Sequence, residues 1–256
     1  MENTPTTSPL QRAQGCLDAK SATKVLLASL AAIVVSVVGI MVVAALLAPR
    51  SAGNRVNFES TGLVAVREVL DKMFSLVTMI ALSLKLFRKQ LFDGSPTGAC
   101  WVRGSWASIA AGFGLGLLVG GSSILMNLTL GHSAGHRDVH PLTQMISQAG
   151  LFRFLGVAVA VVLAPLNEEL LFRGVLYGGY RAKFGPIGAA YMTTLIFLLF
   201  HVPGVLHSAP YCATLIAVSL GALWFRLRSC AIGPAIGVHM GTNIAMAVIM
   251  LWLFKR

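Results

Sequence analysis

Residues 151–180 read LFRFLGVAVAVVLAPLNEELLFRGVLYGGY, an apolar run with two adjacent carboxylates and a guanidinium inside it. A helix of about 20 apolar residues crosses the hydrocarbon core of a bilayer, so this run predicts a membrane-spanning helix. A charge within such a helix costs at least ~2.5–3.5 kcal/mol by insertion scales, and intramembrane charges are functional by default. Glu168, Glu169 and Arg173 are therefore candidate functional residues, and a salt bridge that only fixes helix packing is the alternative.

Six further apolar runs bring the number of predicted transmembrane spans to seven. The seven lie near residues 25–48, 66–87, 104–130, 151–180, 186–201, 209–226 and 231–253. An eighth span results if the chain breaks at Pro165. The second run is the weakest, because charged residues lie near its beginning: Arg67, Glu68, Asp71 and Lys72. The expected fold class is an all-α, polytopic transmembrane helical bundle of seven or eight spans.

Composition favours a bilayer environment over water. Of the 256 residues, 56% are hydrophobic and 11% are charged, and the mean hydropathy is +0.77. Soluble domains carry roughly 25% charged residues, so a soluble globule fits poorly. A net charge of +11 would suggest nucleic acid as the partner of a soluble protein. Here the Lys and Arg residues fall between apolar runs, so we expect the lipid bilayer as partner and no nucleic acid.

Loop charges predict the orientation in the membrane. Alternate loops are basic, through Arg12, Lys20 and Lys24, then Lys85, Arg88, Lys89 and Arg103, then Arg181 and Lys183, and finally Arg226 and Arg228. This pattern predicts a multi-pass protein, such as one of the bacterial cytoplasmic membrane, with a cytoplasmic N-terminus. The residues that depart from it are Arg50, Arg55, Lys255 and Arg256. Residues 1–22 are polar and are expected to form a disordered tail.

Glycine recurs at every fourth position in two of the runs. The positions are Gly112, Gly116 and Gly120 in the third run, and Gly233, Gly237 and Gly241 in the seventh. Small residues at this spacing let helix backbones approach closely, although glycine is also common in membrane helices generally. The cysteines have neither disulfide nor metal spacing, and we expect unpaired structural thiols at Cys16, Cys100, Cys212 and Cys230.

The charged groups of residues 151–180 differ in the direction that they face. Glu169 and Arg173 are four residues apart, so they are expected to form an ion pair along one face of the helix. Glu168 is turned about 100° away from Glu169 and is left to point into a cavity. The spacing thus predicts one paired carboxylate and one that is available for chemistry.

Two other apolar runs carry histidines. His201 ends the fifth run, and imidazole is suited to proton transfer near neutral pH. His239 and Asn243 lie four residues apart on one face of the seventh run, where an interhelical hydrogen-bond clamp is the alternative role. A further group has helical spacing but lies in a polar loop without acidic or thiol ligands, so a metal site is not favoured there. That group is His132, His136 and His140.

At these positions the sequence resembles the CPBP intramembrane protease family, also called the Abi or type II CAAX prenyl endopeptidase family. The family pattern is EExxxR, FxxxH and HxxxN/D on successive helices. The matching residues here are Glu168, Glu169 and Arg173, then Phe197 and His201, then His239 and Asn243. The expected division is a tail at 1–22, N-terminal transmembrane helices at 23–150 and a catalytic transmembrane core at 151–256.

The resemblance implies an intramembrane endopeptidase that hydrolyses a peptide bond in a membrane-associated substrate, such as a prenylated or bacteriocin-type peptide or a membrane protein. It implies that Glu168 and His201 activate a water, while His239 and Asn243 stabilise the oxyanion. Preorganised donors at a dry site stabilise such developing charge strongly. The residues that would orient and pack these groups are Glu169, Arg173 and Phe197.

The residues leave the cofactor open. Glu168, His201 and His239 supply the three ligands of a catalytic zinc site, or they act as a glutamate protease without metal. The second alternative is favoured because no HExxH pair fixes two imidazoles on one helix, although the resemblance implies a metalloprotease, the class to which such proteins are generally assigned. Other functions remain as alternatives: a non-catalytic membrane scaffold or bacteriocin-immunity protein that retains the protease fold, and a small transporter, although inverted hydropathy repeats are lacking.

Overall fold

The computed structural model describes residues 17–47, 61–95, 98–129 and 141–253. Within these ranges the secondary structure is entirely helical, which confirms the predicted all-α class. The helices are α1 (Ala19–Leu47), α2 (Thr61–Leu91), α3 (Trp106–Thr129), α4 (Pro141–Ser147), α5 (Leu151–Ala158), α6 (Ala164–Glu169), α7 (Tyr177–Leu199), α8 (Val202–His207), α9 (Ala209–Ser229) and α10 (Gly233–Leu253). Two π-helical turns, π1 (Val159–Leu163) and π2 (Leu170–Leu176), join α5, α6 and α7.

Five helical segments among the described residues are long and apolar enough to cross a membrane. They are Ala19–Leu46, Trp106–Thr129, Leu151–Leu199, Ala209–Ser229 and Gly233–Trp252. A count of seven or eight spans is not confirmed by this criterion. The difference has two causes: α2 is not among the five segments, and the predicted runs 151–180 and 186–201 form one 49-residue segment.

That 49-residue segment changes direction at Gly185. The backbone there has φ 70° and ψ 175°, a conformation open to glycine and strained for other residues. Pro186 follows directly and cannot donate a helical hydrogen bond. A helix rises about 1.5 Å per residue, so an unbroken segment of this length would be roughly two and a half times as long as a bilayer core is thick. The kink divides it close to the boundary that the hydropathy predicted.

Pro165 does not break the chain, so the eight-span alternative finds no support at this residue. Proline has no N–H to donate to a carbonyl of the preceding turn. The π1 turn adjusts for this: the N–H of Ala164 donates to the carbonyl of Val159, five residues back. The carbonyl of Ala160, five residues before Pro165, instead accepts from Nδ2 of Asn243 at 2.7 Å. A side chain from α10 thus replaces the donor that proline lacks.

The two glycine stripes pack against each other, as their spacing predicted. A Cβ on Gly112 or Gly116 of α3 would overlap backbone carbonyls of α10, those of Pro234 and Val238. A Cβ on Gly241 of α10 would in turn overlap a backbone carbonyl of α3. Only glycine allows the two backbones to approach this closely, so α3 and α10 are a closely packed helix pair. The pair fixes the position of α10, which carries the candidate residues His239 and Asn243 on its opposite side.

The first helix begins earlier than the apolar run 25–48 predicted. Leu17 is buried and the helix begins at Ala19, within the segment 1–22 that was expected to form the tail. The earlier residues lie outside the described ranges, Arg12 and Cys16 among them. So do two groups of loop and terminal residues: Arg50, Arg55, Lys255 and Arg256, and the histidines His132, His136 and His140. The three described cysteines are free, as expected.

The sequence predicted that Arg226 lies in a basic loop, and this prediction is wrong. The side chain is fully buried within α9. Its Nε donates to the carbonyl of Arg173 at 3.1 Å, and its Nη2 donates to the carbonyl of Gly98 at 2.6 Å. Hydropathy counting places the end of an apolar run near this residue, whereas the helix continues to Ser229 and turns the guanidinium inwards. Arg226 therefore gives no information on membrane orientation.

Candidate active site

A buried ion pair lies at the centre of the bundle. Oε1 of Glu169 is 3.1 Å from Nη1 of Arg173, one helical turn along the chain, and both side chains are essentially inaccessible to solvent. The same oxygen is 2.9 Å from Nδ1 of His239 on α10. The predicted pair between Glu169 and Arg173 is confirmed, and it also binds an imidazole from another helix. One carboxylate thereby joins α6, π2 and α10.

The neighbouring carboxylate, that of Glu168, faces two imidazole nitrogens. Its Oε2 lies 4.0 Å from Nε2 of His201 and 3.9 Å from Nε2 of His239. This oxygen is buried and has no hydrogen-bond partner among the described residues. Two atoms up to about 5.6 Å apart share a water through hydrogen bonds of about 2.8 Å. The side chains come from α6, α10 and the α7–α8 junction, and each of the two imidazole nitrogens lies within the distance of Oε2 at which two atoms can share one water molecule.

The partners of the two imidazoles fix their tautomers. Nδ1 of His201 lies 2.8 Å from the carbonyl oxygen of Phe197, which only accepts, so Nδ1–H is the donor. Nδ1 of His239 likewise donates to the carboxylate of Glu169. In the neutral rings Nε2 is then unprotonated. Both Nε2 lone pairs face Oε2 of Glu168, which makes the centre a cluster of acceptors ready to take protons.

Phe197 lies between the functional side chains. It is fully buried, its ring centroid is 4.7 Å from that of His201, and it lies 6.2 Å from the ring centroid of His239 in a nearly perpendicular arrangement. The guanidinium of Arg173 lies 4.5 Å from the centroid of the same ring. The cation and both imidazoles thus pack on one aromatic side chain, which restricts their rotation. This position explains why an aromatic residue lies one turn before His201.

A cavity of about 80 Å³ opens beside Glu168 and His201. Half of the apolar residues that line it belong to α1: Leu26, Leu30 and Ile33. Its polar wall includes Lys72 of α2, whose Nζ lies 3.3 Å from Oε1 of Glu168. Sequence reasoning treated Lys72 only as a charge that weakens the second span. The N-terminal helices therefore form part of the wall around the candidate site.

Asn243 is placed differently from His239, although the two share a helix face. Its Nδ2 donates to the carbonyl of Ala160 in π1, rather than pointing with His239 at Glu168. An amide nitrogen carries two hydrogens, so one is engaged in this bond and one remains. The interhelical clamp considered for Asn243 is thus present, and a role at the oxyanion requires the second hydrogen.

The π2 turn, which follows Glu169 directly, is also held from outside. The indole of Trp101 donates to the carbonyl of Leu170 at 3.3 Å, and Arg226 donates to that of Arg173. A π turn departs from the usual helical ladder and is frequent at functional sites. Neither donor was predicted from the sequence. An arginine near the end of an apolar run, Arg226, was the signal that could have indicated one of them.

The ring orientation alone suits a metal, because metal-bound imidazoles usually donate their other N–H to a carboxylate or a carbonyl. The distances between the potential ligand atoms do not suit a metal ion. Ligand atoms around a tetrahedral zinc lie about 3.3 Å apart, given bonds of about 2.0–2.1 Å. The Nε2 atoms of His201 and His239 are 4.0 and 3.9 Å from Oε2 of Glu168, and Lys72 places an ammonium on the same carboxylate. Across the described ranges, no three His, Cys, Asp or Glu side chains form a metal site.

Fold and site together define a class: a multi-pass helical protein with a buried glutamate and histidine centre. Residues 150–245 match the family model described as type II CAAX prenyl endopeptidase, Rce1-like, which confirms the resemblance carried by the three motifs. Neither the comparison with curated proteins nor that with solved structures gives a match. The matched segment contains Glu168, His201 and His239, whereas Lys72 lies outside it. The matched family is one of CAAX prenyl endopeptidases, and the apolar helices of this chain fit an integral membrane protein.

Proposed function

We propose that this protein is an intramembrane endopeptidase that uses Glu168 and His201 to activate a water for peptide-bond hydrolysis. The observation that carries the proposal is the approach of Oε2 of Glu168 to two imidazole nitrogens, at 3.9 and 4.0 Å, within a membrane-spanning bundle. Burial of ionisable groups in an apolar protein is costly, and three such groups that lie close together indicate a functional site. The family match supports the same reaction class.

The reaction follows from the geometry of the acceptors. A water bound at Oε2 of Glu168 donates one hydrogen to this carboxylate and a second to Nε2 of His201. Its oxygen lone pair then attacks the carbonyl carbon of the scissile peptide bond, as its proton passes to Glu168. The tetrahedral intermediate collapses when the same proton is delivered to the leaving nitrogen. The products are a new carboxylate and a new amine.

His239 is the proposed stabiliser of the oxyanion. Its Nδ1 is held by Glu169, so its Nε2 is the atom presented to the substrate. Protonated on Nε2, the ring donates a hydrogen bond to the oxyanion and balances its negative charge. The free hydrogen of the Asn243 amide is the second proposed donor. Glu169, Arg173 and Phe197 orient and pack these groups.

The proposed mechanism uses no metal, because Glu168 and His201 act directly on the water, and the Lys72 ammonium already contacts Oε1 of Glu168. The proposed substrate is a peptide or protein within the bilayer, of prenylated or bacteriocin type. The proposed topology of the enzyme is seven spans with a cytoplasmic N-terminus. A scaffold or immunity protein with the same fold is the second candidate. It would need no carboxylate at the position of Glu168, and the buried orphan oxygen there favours the enzyme.

The test is cleavage in proteoliposomes. Purified protein is incubated with a farnesylated CAAX peptide and with unmodified hydrophobic peptides, and new termini are identified by mass spectrometry. We expect Glu168→Ala and His201→Ala to abolish cleavage while membrane expression stays normal. Glu68→Ala is the matched control, because that carboxylate lies on α2 beside Arg67. Full activity in both site variants would remove the proposed base.

A further inference from the structure

We propose that Lys72 of α2 is a positioning residue for the Glu168 carboxylate, and that α2 therefore completes the active site from outside the family-matched segment. The proposal rests on the proposed function of Glu168. Its starting point is the 3.3 Å contact between Nζ of Lys72 and Oε1 of Glu168, which is the same carboxylate whose other oxygen faces the two imidazoles.

The division of the two oxygens gives this contact its meaning. A carboxylate that rotates freely about its last bond exchanges its two oxygens and loses a fixed direction of attack. The ammonium of Lys72 occupies Oε1 and leaves Oε2, the orphan oxygen, directed at His201 and His239. Ionised groups form the stronger hydrogen bonds, so the contact restrains the carboxylate more than a neutral donor would.

A second contact fixes α2 in the register that this role requires. Ser75 lies three residues after Lys72 and therefore on the same helix face. Its Oγ accepts from Nδ2 of Asn167 at 3.1 Å, and Asn167 directly precedes Glu168. Adjacent residues of α6 are thus held by one face of α2. A rotation or slide of α2 would break both contacts at once.

Charge balance also assigns Lys72 to Glu168. Among the described residues, the two adjacent carboxylates of α6 each have one cation: Arg173 for Glu169 and Lys72 for Glu168. The first pair is sealed, whereas the side chain of Lys72 is 25% exposed and lines the cavity beside the reaction centre. An ion pair that only neutralised a buried charge would not need to border a cavity. Lys72 is thus placed where a substrate and the base carboxylate meet.

The test compares Lys72→Met, Lys72→Arg and Lys85→Met in the proteoliposome assay, with wild type and Glu168→Gln alongside. Lys85 lies on the same helix and is exposed, so Lys85→Met controls for loss of a positive charge on α2. Rates are expressed per folded protein, measured by gel filtration in detergent. Displacement of a reacting group costs roughly 10- to 100-fold in rate. We expect Lys72→Met to lower kcat by that factor with KM within twofold, and Lys72→Arg to recover most of it.

The outcomes separate this inference from the proposed function. Wild-type kcat in Lys72→Met, with Glu168→Gln inactive, would overturn the role of Lys72 and leave the protease proposal intact. A rise in KM at unchanged kcat would assign Lys72 to substrate binding and overturn a positioning role. Lys72→Arg as impaired as Lys72→Met would do the same, because the charge would then not be what matters. A wild-type protein that cleaves no peptide overturns both proposals together.

Discussion

Removal of one partner from the Glu169–Arg173 pair is expected to destabilise the protein strongly. Glu169 is 0% exposed and Arg173 is 1% exposed, and 3.1 Å separates their charged atoms. Loss of one member of such a pair leaves an uncompensated buried charge, which costs about 3–5 kcal/mol. A protein of this size changes its melting temperature by about 2–4 °C per kcal/mol. Glu169→Gln is therefore expected to melt roughly 6–20 °C below wild type.

The control for this prediction is another ion pair of the same chain. Glu68 and Arg67 are 3.0 Å apart, but the Arg67 side chain is 34% exposed. Exposed pairs contribute about 0.2–1 kcal/mol, so Glu68→Gln should barely change the melting temperature. Both variants are measured in the same detergent by intrinsic fluorescence. The double variant Glu169→Gln/Arg173→Met should be more stable than Arg173→Met alone, because it removes the unpaired carboxylate.

Two results would refute this reasoning. One is an equal melting temperature for Glu169→Gln and Glu68→Gln, which would mean that burial adds nothing to the pair. The other is a double variant whose loss equals the sum of the two single losses, because contacting residues in one network are not additive. Either result would also remove the proposed anchor of His239.

Further predictions concern packing, the π1 turn and the cysteines. Gly116→Ala should cost about 1–3 kcal/mol of stability in a detergent melt, because its Cβ overlaps the α10 backbone, whereas Gly114→Ala, with nothing within 4 Å, should not destabilise. Asn243→Ala should lower the stability by about 1–3 kcal/mol, because it leaves the carbonyl of Ala160 unpaired. Adding Pro165→Ala should recover part of this stability, because it restores an N–H. Thermal melting measures both changes. Burial raises the pKa of the Cys100 thiol to about 11. At pH 8 only about one such thiol in a thousand is ionised. Maleimide should therefore label a protein whose only cysteine is Cys100 only after unfolding in SDS. Dialysis against a chelator should leave peptide cleavage unchanged, and loss of activity that zinc restores would contradict the metal-independent mechanism.

Much of the helical architecture was predictable because hydropathy and helical rotation act within one segment. The apolar runs located the helices, and the four-residue spacing of Glu169 and Arg173 gave their ion pair. The two glycine stripes likewise indicated a close helix contact, which lies between α3 and α10. In each case the relevant distance is set by the geometry of a single helix or by the absence of side chains along one face.

Contacts between helices were less accessible, because spacing along a chain does not say which residue of another helix it meets. Lys72 and Arg226 looked like charges that weaken or end an apolar run, yet both turn inwards to α6 and π2. Asn243 shares a helix face with His239, and the π1 turn draws its amide to Ala160 instead. Pro165 was the available signal, because a proline within an apolar helix leaves one carbonyl in need of another donor.

The most direct test of the account is whether Glu168 and His201 act on the same water. Steady-state kcat/KM for peptide cleavage is measured for wild type, Glu168→Gln, His201→Ala and the double variant in proteoliposomes. Residues that act as a unit are strongly non-additive, so the double variant should be no slower than the more impaired single variant. A double variant whose loss equals the product of the two single losses would show that the carboxylate and the imidazole act independently, and would contradict the shared-water mechanism.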